Sequence, residues 1–259
     1  MKIPSEVASF LLEQAWHFNQ SSFIENDPIS IPHSFSKKQD IEISGFWTAM
    51  LSWGNRKSII KNCNELSRLM DNAPLDFVKN YQERDGLKFS KFVHRTFQYA
   101  DSLYFLQFLS SWYKKHTSLE DAFIPEGFNS CASIESSLNL FHERFFSDDP
   151  DQMNHRTRKH VARPKSGSRC KRMNMFLRWM VRKDNRGVDF GMWNKIDASQ
   201  LMIPLDIHVE KTARKYGLLQ RKNLDWKAVL ELSLNCSEII PEDPGLLDYA
   251  LFGLSIESK

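Results

Sequence analysis

Apolar residues in this chain return at helical spacing far more often than at alternating spacing, and that pattern sets the expected fold class. Met173, Phe176, Leu177, Met180 and Val181 follow the i, i+3, i+4, i+7 rhythm of one buried helical face. Lys171, Met175, Arg178 and Arg182 fall on another stripe of the same helix, which the pattern assigns to cations. Upstream, Leu103, Leu106, Leu109 and Trp112 mark a helix over Ser102 to Lys115. Ile134, Leu138, Phe141 and Phe145 mark another over Ser133 to Phe146. Ser44 to Trp53 and Lys57 to Met70 form two helices parted at Gly54-Asn55, and Asp148-Asp149-Pro150-Asp151 is an acidic loop.

Downstream, Asp206 to Tyr216 is a short helix closed by Gly217, and Leu224 to Cys236 is another. Asp243-Pro244 places an N-cap before a proline at the first helical position and opens a last helix through Leu254. Lys183 to Pro204, with Gly187, Gly191 and Trp193, is too long a connection to be purely passive. No segment alternates persistently and no internal repeat is present, so the expected fold is all-α. The expected organisation is two helical lobes with a cleft between them, about 40–150 and 151–259, the N-terminal helix going with the second.

Composition narrows the class. Apolar residues make up 41% of the chain, with 19 Phe and 7 Trp, which suits a globular core. No run approaches the roughly 20 apolar residues of a membrane helix. The first residues, MKIPSEVASFLLEQAWHFNQ, carry acids inside the apolar stretch and lack a small-residue cleavage site, so they form a helix rather than a signal peptide. The expected location is cytoplasmic, associated with the nucleoid if DNA is bound, with no membrane and no obligate protein partner. Cys63, Cys131, Cys170 and Cys236 are scattered, without zinc or iron–sulfur spacing. His155 and His160 lie among cations that repel a metal, so neither metal nor cofactor is expected.

Net charge is only +3; its distribution says more. Arg156, Arg158, Lys159, His160, Arg163, Lys165, Arg169, Lys171 and Arg172 follow one another with no acid between them, a concentration that suits phosphate. Arg158, Lys159, Arg163, Lys165 and Arg169 are the expected phosphate contacts, with Gly167 and Ser168 offering backbone amides at a helix start. Arg178 on the cationic stripe is counted with them. A solvated basic loop is the plainer reading.

Lys171 opens the amphipathic helix, and Asp206 follows Pro204 at the next helix entry. A lysine lowered toward neutrality by nearby cations and desolvation is a nucleophile; an ordinary lysine here is one more phosphate contact. Asp206 can stabilise positive charge on a sugar or take the lysine's proton; as a plain N-cap it accepts backbone N–H groups. Trp193 either stacks on a base or covers the core, and His208 is either packed or functional.

Two segments carry a family resemblance: GSRCKRMNMFLRWMVR, Gly167 to Arg182, and IPLDIHV, Ile203 to Val209. On them the chain is identified as a member of a bacterial family of unassigned function. It also resembles the helix-hairpin-helix DNA glycosylase superfamily, most nearly its archaeal 8-oxoguanine DNA glycosylase branch. That resemblance places a catalytic lysine at Lys171 and a catalytic aspartate at Asp206 within P-x-D-x-H-V. AMLSWGNRKSII, Ala49 to Ile60, is similar to the superfamily's early helix–loop–helix, which makes Asn55, with Arg56 beside it, the candidate to fill the gap left by a flipped base. Pro164 to Ser168 has one glycine where superfamily hairpins usually carry two. The implied activity is excision of a damaged base, an oxidised purine by the nearest branch, from double-stranded DNA, with lyase chemistry through a lysine Schiff base. The alternative is a non-catalytic nucleic-acid-binding protein on the same scaffold.

Overall fold

A computed structural model describes residues 3–129, 134–147 and 156–257. Regular structure among them is helical, with one isolated bridge between His94 and Phe97. In chain order the helices are α1 (Ser5–Phe18), α2 (Ser22–Glu25), α3 (Lys38–Leu51), α4 (Arg56–Leu69), α5 (Pro74–Asn80) and α6 (Tyr99–Tyr113). They continue with α7 (Ile134–Phe145), α8 (Lys171–Val181), α9 (Ile207–Lys215), α10 (Trp226–Ile239) and α11 (Leu247–Glu257). The periodic segments became helices, while α2, α5 and the short 3-10 turns went unpredicted. The acidic loop at 148–151 lies outside the described residues.

The chain forms two compact units. One comprises 1–25, 125–139 and 163–259; the other comprises 26–124 and 140–162. The basic segment is therefore shared, with Arg158 and Lys159 in the second unit and Arg163 onward in the first.

The second unit is built on aromatic packing. Ile41 to Leu51 of α3 are buried throughout. Phe46 stacks on Phe105 with centroids 5.4 Å apart, Phe123 stacks on Phe141 at 4.1 Å, and Phe108 meets Phe145 at 4.5 Å. Among its buried acids, Glu42 accepts from Tyr113 Oη at 2.7 Å, Ser118 Oγ at 2.5 Å and the Leu119 N–H at 3.1 Å, with Lys38 Nζ at 3.9 Å. A buried carboxylate with several donors keeps much of what water would give it.

In the first unit, α11 packs on both α1 and α9. Gly253 lets α1 come close, since a Cβ there would sit 2.4 Å from the Phe18 ring. The apolar face of α8 is buried as its spacing required. The connection after α8 folds back on that helix: the N–H groups of Phe190, Met192 and Trp193 donate to the carbonyls of Trp179 and Met180. These are carbonyls that the end of a helix otherwise leaves unpaired.

Candidate functional site

Lys171 is the first residue of α8 and follows Cys170, whose φ of 48° turns the chain through the left-handed region. Its side chain is 28% exposed and that of Asp206 is 22% exposed. Although they lie far apart in sequence, Lys171 Nζ is 3.9 Å from Asp206 Oδ2. Met175 Sδ, one turn along α8, is 3.5 Å from the same nitrogen.

The two oxygens of Asp206 divide the work. Oδ1 accepts from the N–H groups of His208 at 2.8 Å and Val209 at 3.0 Å, capping α9. Oδ2 faces Lys171. The segment leading to Asp206 is held by its apolar residues: Ile203, Pro204 and Leu205 are buried, and the Ile203 N–H donates to Ser233 Oγ on α10. His208 Nδ1 lies 3.1 Å from Ser255 Oγ, and its ring meets Phe252 edge-on at 5.7 Å. His208 thus docks the start of α9 on α11 beside the pair.

Arg178 corrects the cationic stripe. It is buried, not presented to solvent: Nη1 donates to Asp248 Oδ2, Nε is 3.3 Å from Asp189 Oδ1, and the guanidinium lies over the Tyr249 ring at 4.4 Å. Arg182 is 0% exposed at its side chain and lies 2.9 Å from Asp243, 2.7 Å from Asp184 and 3.2 Å from Asp189. Tyr249 Oη donates to Asp189 at 2.9 Å. Isolated burial of a guanidinium is very costly, so each needs carboxylate partners. The long connection supplies two of them, Asp184 and Asp189.

Burial shifts these acids. It pushes the Asp248 carboxyl up to about 6 against the opposing pull of Arg178, and pushes Asp243 up to about 6 against Arg182. Burial would also raise Asp184, but the Arg186 N–H, Asn19 and Arg182 together hold it below its ordinary value. The Asp243 carboxylate turns to Arg182 while also feeling the Leu246 N–H, and a 3-10 turn over Pro244–Leu246 precedes α11.

The remaining expected site residues disperse. Gly167, at φ 76°, closes the 3-10 turn Pro164–Ser166, donating to the Pro164 carbonyl at 2.7 Å. A Cβ on it would meet nothing within 4 Å, so the left-handed backbone is what calls for glycine there. Ser168 Oγ accepts from the Cys170 N–H at 3.2 Å. Lys165 is exposed, while Arg163 and Arg169 are half-buried, with Arg169 Nη1 buried and lacking a hydrogen-bond partner. Trp193 is buried against Phe176 at 5.3 Å, which makes it core and not a stacking platform. In the second unit, Arg158 lies over the Phe146 ring at 4.6 Å and Lys159 is exposed. Asn55 Oδ1 caps α4 by accepting from the Ser58 N–H at 3.2 Å, and Arg56 is exposed on its first turn.

Sequence reading missed Asp189, Asp243, Asp248 and Tyr249 as partners of α8. The available signal was Asp248 itself, a lone acid in the otherwise apolar stretch LLDYALFGL. Among the described residues, no group of three or more His, Cys, Asp and Glu is placed to hold a metal ion, and no helix is long and apolar enough to cross a membrane. Cys63, Cys170 and Cys236 are free and buried, and burial raises the Cys170 thiol to about 12.

No curated protein and no solved structure matches the chain. A family model described as "Protein of unknown function (DUF2400)" matches residues 27–257, and the chain belongs to that family.

Proposed function

We propose that this chain is a DNA base-excision glycosylase with associated lyase chemistry, on a helix-hairpin-helix type of scaffold, and that Lys171 is its nucleophile. The observation that carries the reading is the 3.9 Å approach of Lys171 and Asp206, two partly exposed side chains from separate helix starts. The acidic oxygen facing the amine is the one not used for capping. An amine that attacks must first lose a proton, and on this reading Asp206 Oδ2 receives it once the 3.9 Å gap closes or a water bridges it.

The proposed step begins with a nucleotide flipped from the duplex. The Lys171 nitrogen bonds to C1′ as the C1′–N bond to the base breaks, and the base departs with that electron pair and takes up a proton. Loss of the second amine proton and opening of the sugar ring, with a proton placed on the ring oxygen, leave a C=N bond between lysine and sugar. The carboxylate of Asp206 offsets positive charge developing at C1′. Damaged double-stranded DNA is the proposed partner and an oxidised purine the proposed lesion class.

Incubation with duplexes carrying different damaged bases, followed by borohydride reduction and a denaturing gel, tests this. A covalent protein–DNA adduct is expected with damaged duplex and absent with Lys171→Gln. Absence of an adduct on every duplex, with no base released, overturns the reading.

A second reading is favoured by the two capping bonds of Asp206, which give that residue a structural task. On this reading Lys171 and Asp206 form an ion pair in a non-catalytic nucleic-acid-binding protein. It predicts salt-sensitive binding without base release.

A further inference from the structure

We infer that Met175 is an oxidation site built against the lysine–aspartate pair: peroxide converts its thioether to a sulfoxide, whose oxygen then holds the Lys171 nitrogen and disables it. The inference rests on the reading of Lys171 as the nucleophile. The contact that carries it is independent of any substrate.

The start of α8 carries three sulfurs, at Cys170, Met173 and Met175. Two of them are shut away. Cys170 and Met173 are buried, Cys170 Sγ lies 3.4 Å from the Ser168 carbonyl oxygen, and burial pushes that thiol up to about 12, far from the reactive thiolate. Met175 is half-buried, one turn along from Lys171, and its Sδ is 3.5 Å from Lys171 Nζ. The lysine side chain is itself 28% exposed, so the place where nitrogen and sulfur meet is open to a molecule as small as hydrogen peroxide.

In the oxidation, a sulfur lone pair attacks one peroxide oxygen, and the S–O bond forms as the O–O bond breaks. The departing hydroxide takes the proton of the transferred oxygen and leaves as water. Sulfur loses two electrons and the peroxide gains them. A thioether is a weak acceptor, whereas the sulfoxide makes the same side chain polar. An oxygen added to a sulfur already 3.5 Å from Nζ accepts from the ammonium and competes with Asp206 Oδ2, which stands farther off at 3.9 Å. The nitrogen is then held on Met175 instead of swinging to an electrophile.

The test treats the whole chain with a dose series of hydrogen peroxide and maps methionine sulfoxide by peptide mass. Met175 is expected to oxidise ahead of Met173 and Met180, both buried on the same helix. After the peroxide is removed, the same samples are methylated at a single pH with formaldehyde and cyanoborohydride, with the exposed Lys227 as internal reference. Lys171 labelling relative to Lys227 is expected to fall several-fold as Met175 sulfoxide accumulates. In Met175→Leu, which has no sulfur to oxidise, peroxide should leave the ratio at that variant's own untreated value. Met175→Gln sets an amide oxygen where the sulfoxide oxygen would be, and it should label more slowly than Met175→Leu with no peroxide at all.

Oxidation of Met175 no faster than that of Met173 and Met180 overturns the proposal. So does a ratio that stays constant while Met175 oxidises, or one that falls as far in Met175→Leu. No nucleic acid is present in these measurements. If untreated chain traps no duplex adduct while the labelling effect stands, the glycosylase reading alone fails. If adduct is trapped, peroxide should lower its yield several-fold in wild type and leave it unchanged in Met175→Leu.

Discussion

The two units solve the problem of a core in opposite ways. In the unit of 26–124 and 140–162, rings pack on rings, and its buried acids are isolated from one another: Glu42 accepts from two hydroxyls and an N–H with Lys38 at 3.9 Å, and Asp101 faces His160 and Arg156. In the other unit, the side of α8 leading away from Lys171 is packed with charge: Arg178 and Arg182 share Asp184, Asp189, Asp243 and Asp248. Apolar replacements of such buried networks are often as stable or more so. Stability alone therefore does not account for this one. What it does is tie α8 to the connection that follows it and to α11 and its entry, the segments that supply Asp184, Asp189, Asp248 and Asp243.

The comparison is broken most forcefully by truncation at its two centres. Arg178→Ala leaves Asp189 and Asp248 without their shared cation and is expected to cost about 3–5 kcal/mol. Phe105→Ala, in the aromatic core, is expected to cost about 3–5 kcal/mol by cavity formation. The pH dependence separates them. At pH 5 Asp248 can take up a proton and the Arg178→Ala penalty should shrink, whereas at pH 8 it should be full; the Phe105→Ala penalty should not change between them. Urea unfolding of both variants at both pH values decides it, and equal pH dependence would erase the distinction between the two cores.

Proton linkage sharpens the same contrast at a smaller scale. Asp243 is raised in the folded chain, so the stability it contributes is fully present below its unfolded value and is lost as pH climbs through about 6. Asp101, in the aromatic unit, behaves oppositely. Burial alone would raise it, but His160 at 3.6 Å, the Gln98 N–H and Thr157 Oγ1 outweigh burial and hold it low. Its contribution is present above the unfolded value and disappears as pH falls through the folded one. Asp243→Asn should remove about 2–3 kcal/mol of the decline between pH 4 and pH 7, and Asp101→Asn should flatten only the acid side. Thermal melting against pH checks both, and a decline that Asp243→Asn leaves in place would refute the assignment.

At the site itself, Asp206→Asn and Lys171→Gln are expected to fold, because Asn caps helices well and Lys171 is partly exposed. The stability cost should stay below about 1 kcal/mol. Lys171→Gln should form no trapped adduct, and Asp206→Asn should release base more slowly by roughly a hundredfold or more. Single-turnover base release and melting on the same preparations test this. Normal release by both folded variants would remove the proposed chemistry, and unfolding of Asp206→Asn would leave the cap as that residue's main task.

Much of this was legible from residue order, and the failures share a cause. The face of α8 from Met173 to Val181 was readable because apolar residues have only one place to go. Asp206 was readable because a proline-led helix entry and an aspartate agree at short range. Arg178 and Arg182 were misjudged because helical spacing identifies a stripe without saying what faces it. Their partners Asp189, Asp243 and Asp248 come from segments that only folding brings to α8. Trp193 went to the core, the more frequent fate for that residue type, and Asn55 caps α4 at an exposed position.

The smallest expected effects concern the basic segment, which the division of the chain allows to be tested in halves. Arg163 and Lys165 belong to the unit that holds Lys171, and Arg158 and Lys159 to the aromatic unit. If the stretch meets phosphate, Arg163→Ala with Lys165→Ala should weaken damaged and undamaged duplex alike and lower the salt slope by about 2, near 0.9 per phosphate contact. Lys159→Ala, at an exposed side chain, should lower it by about 1 at most, without loss of stability. Arg158→Ala differs, because its guanidinium also covers the Phe146 ring; it should lower the melting temperature as well, since a cation–π contact contributes about 0.5–2 kcal/mol. Fluorescence anisotropy over a salt series, with melting curves for each variant, reads all of these. A slope lost only with Arg163 and Lys165 would confine duplex contact to the unit carrying the lysine–aspartate pair. An unchanged slope in every variant would reduce the whole stretch to a solvated surface.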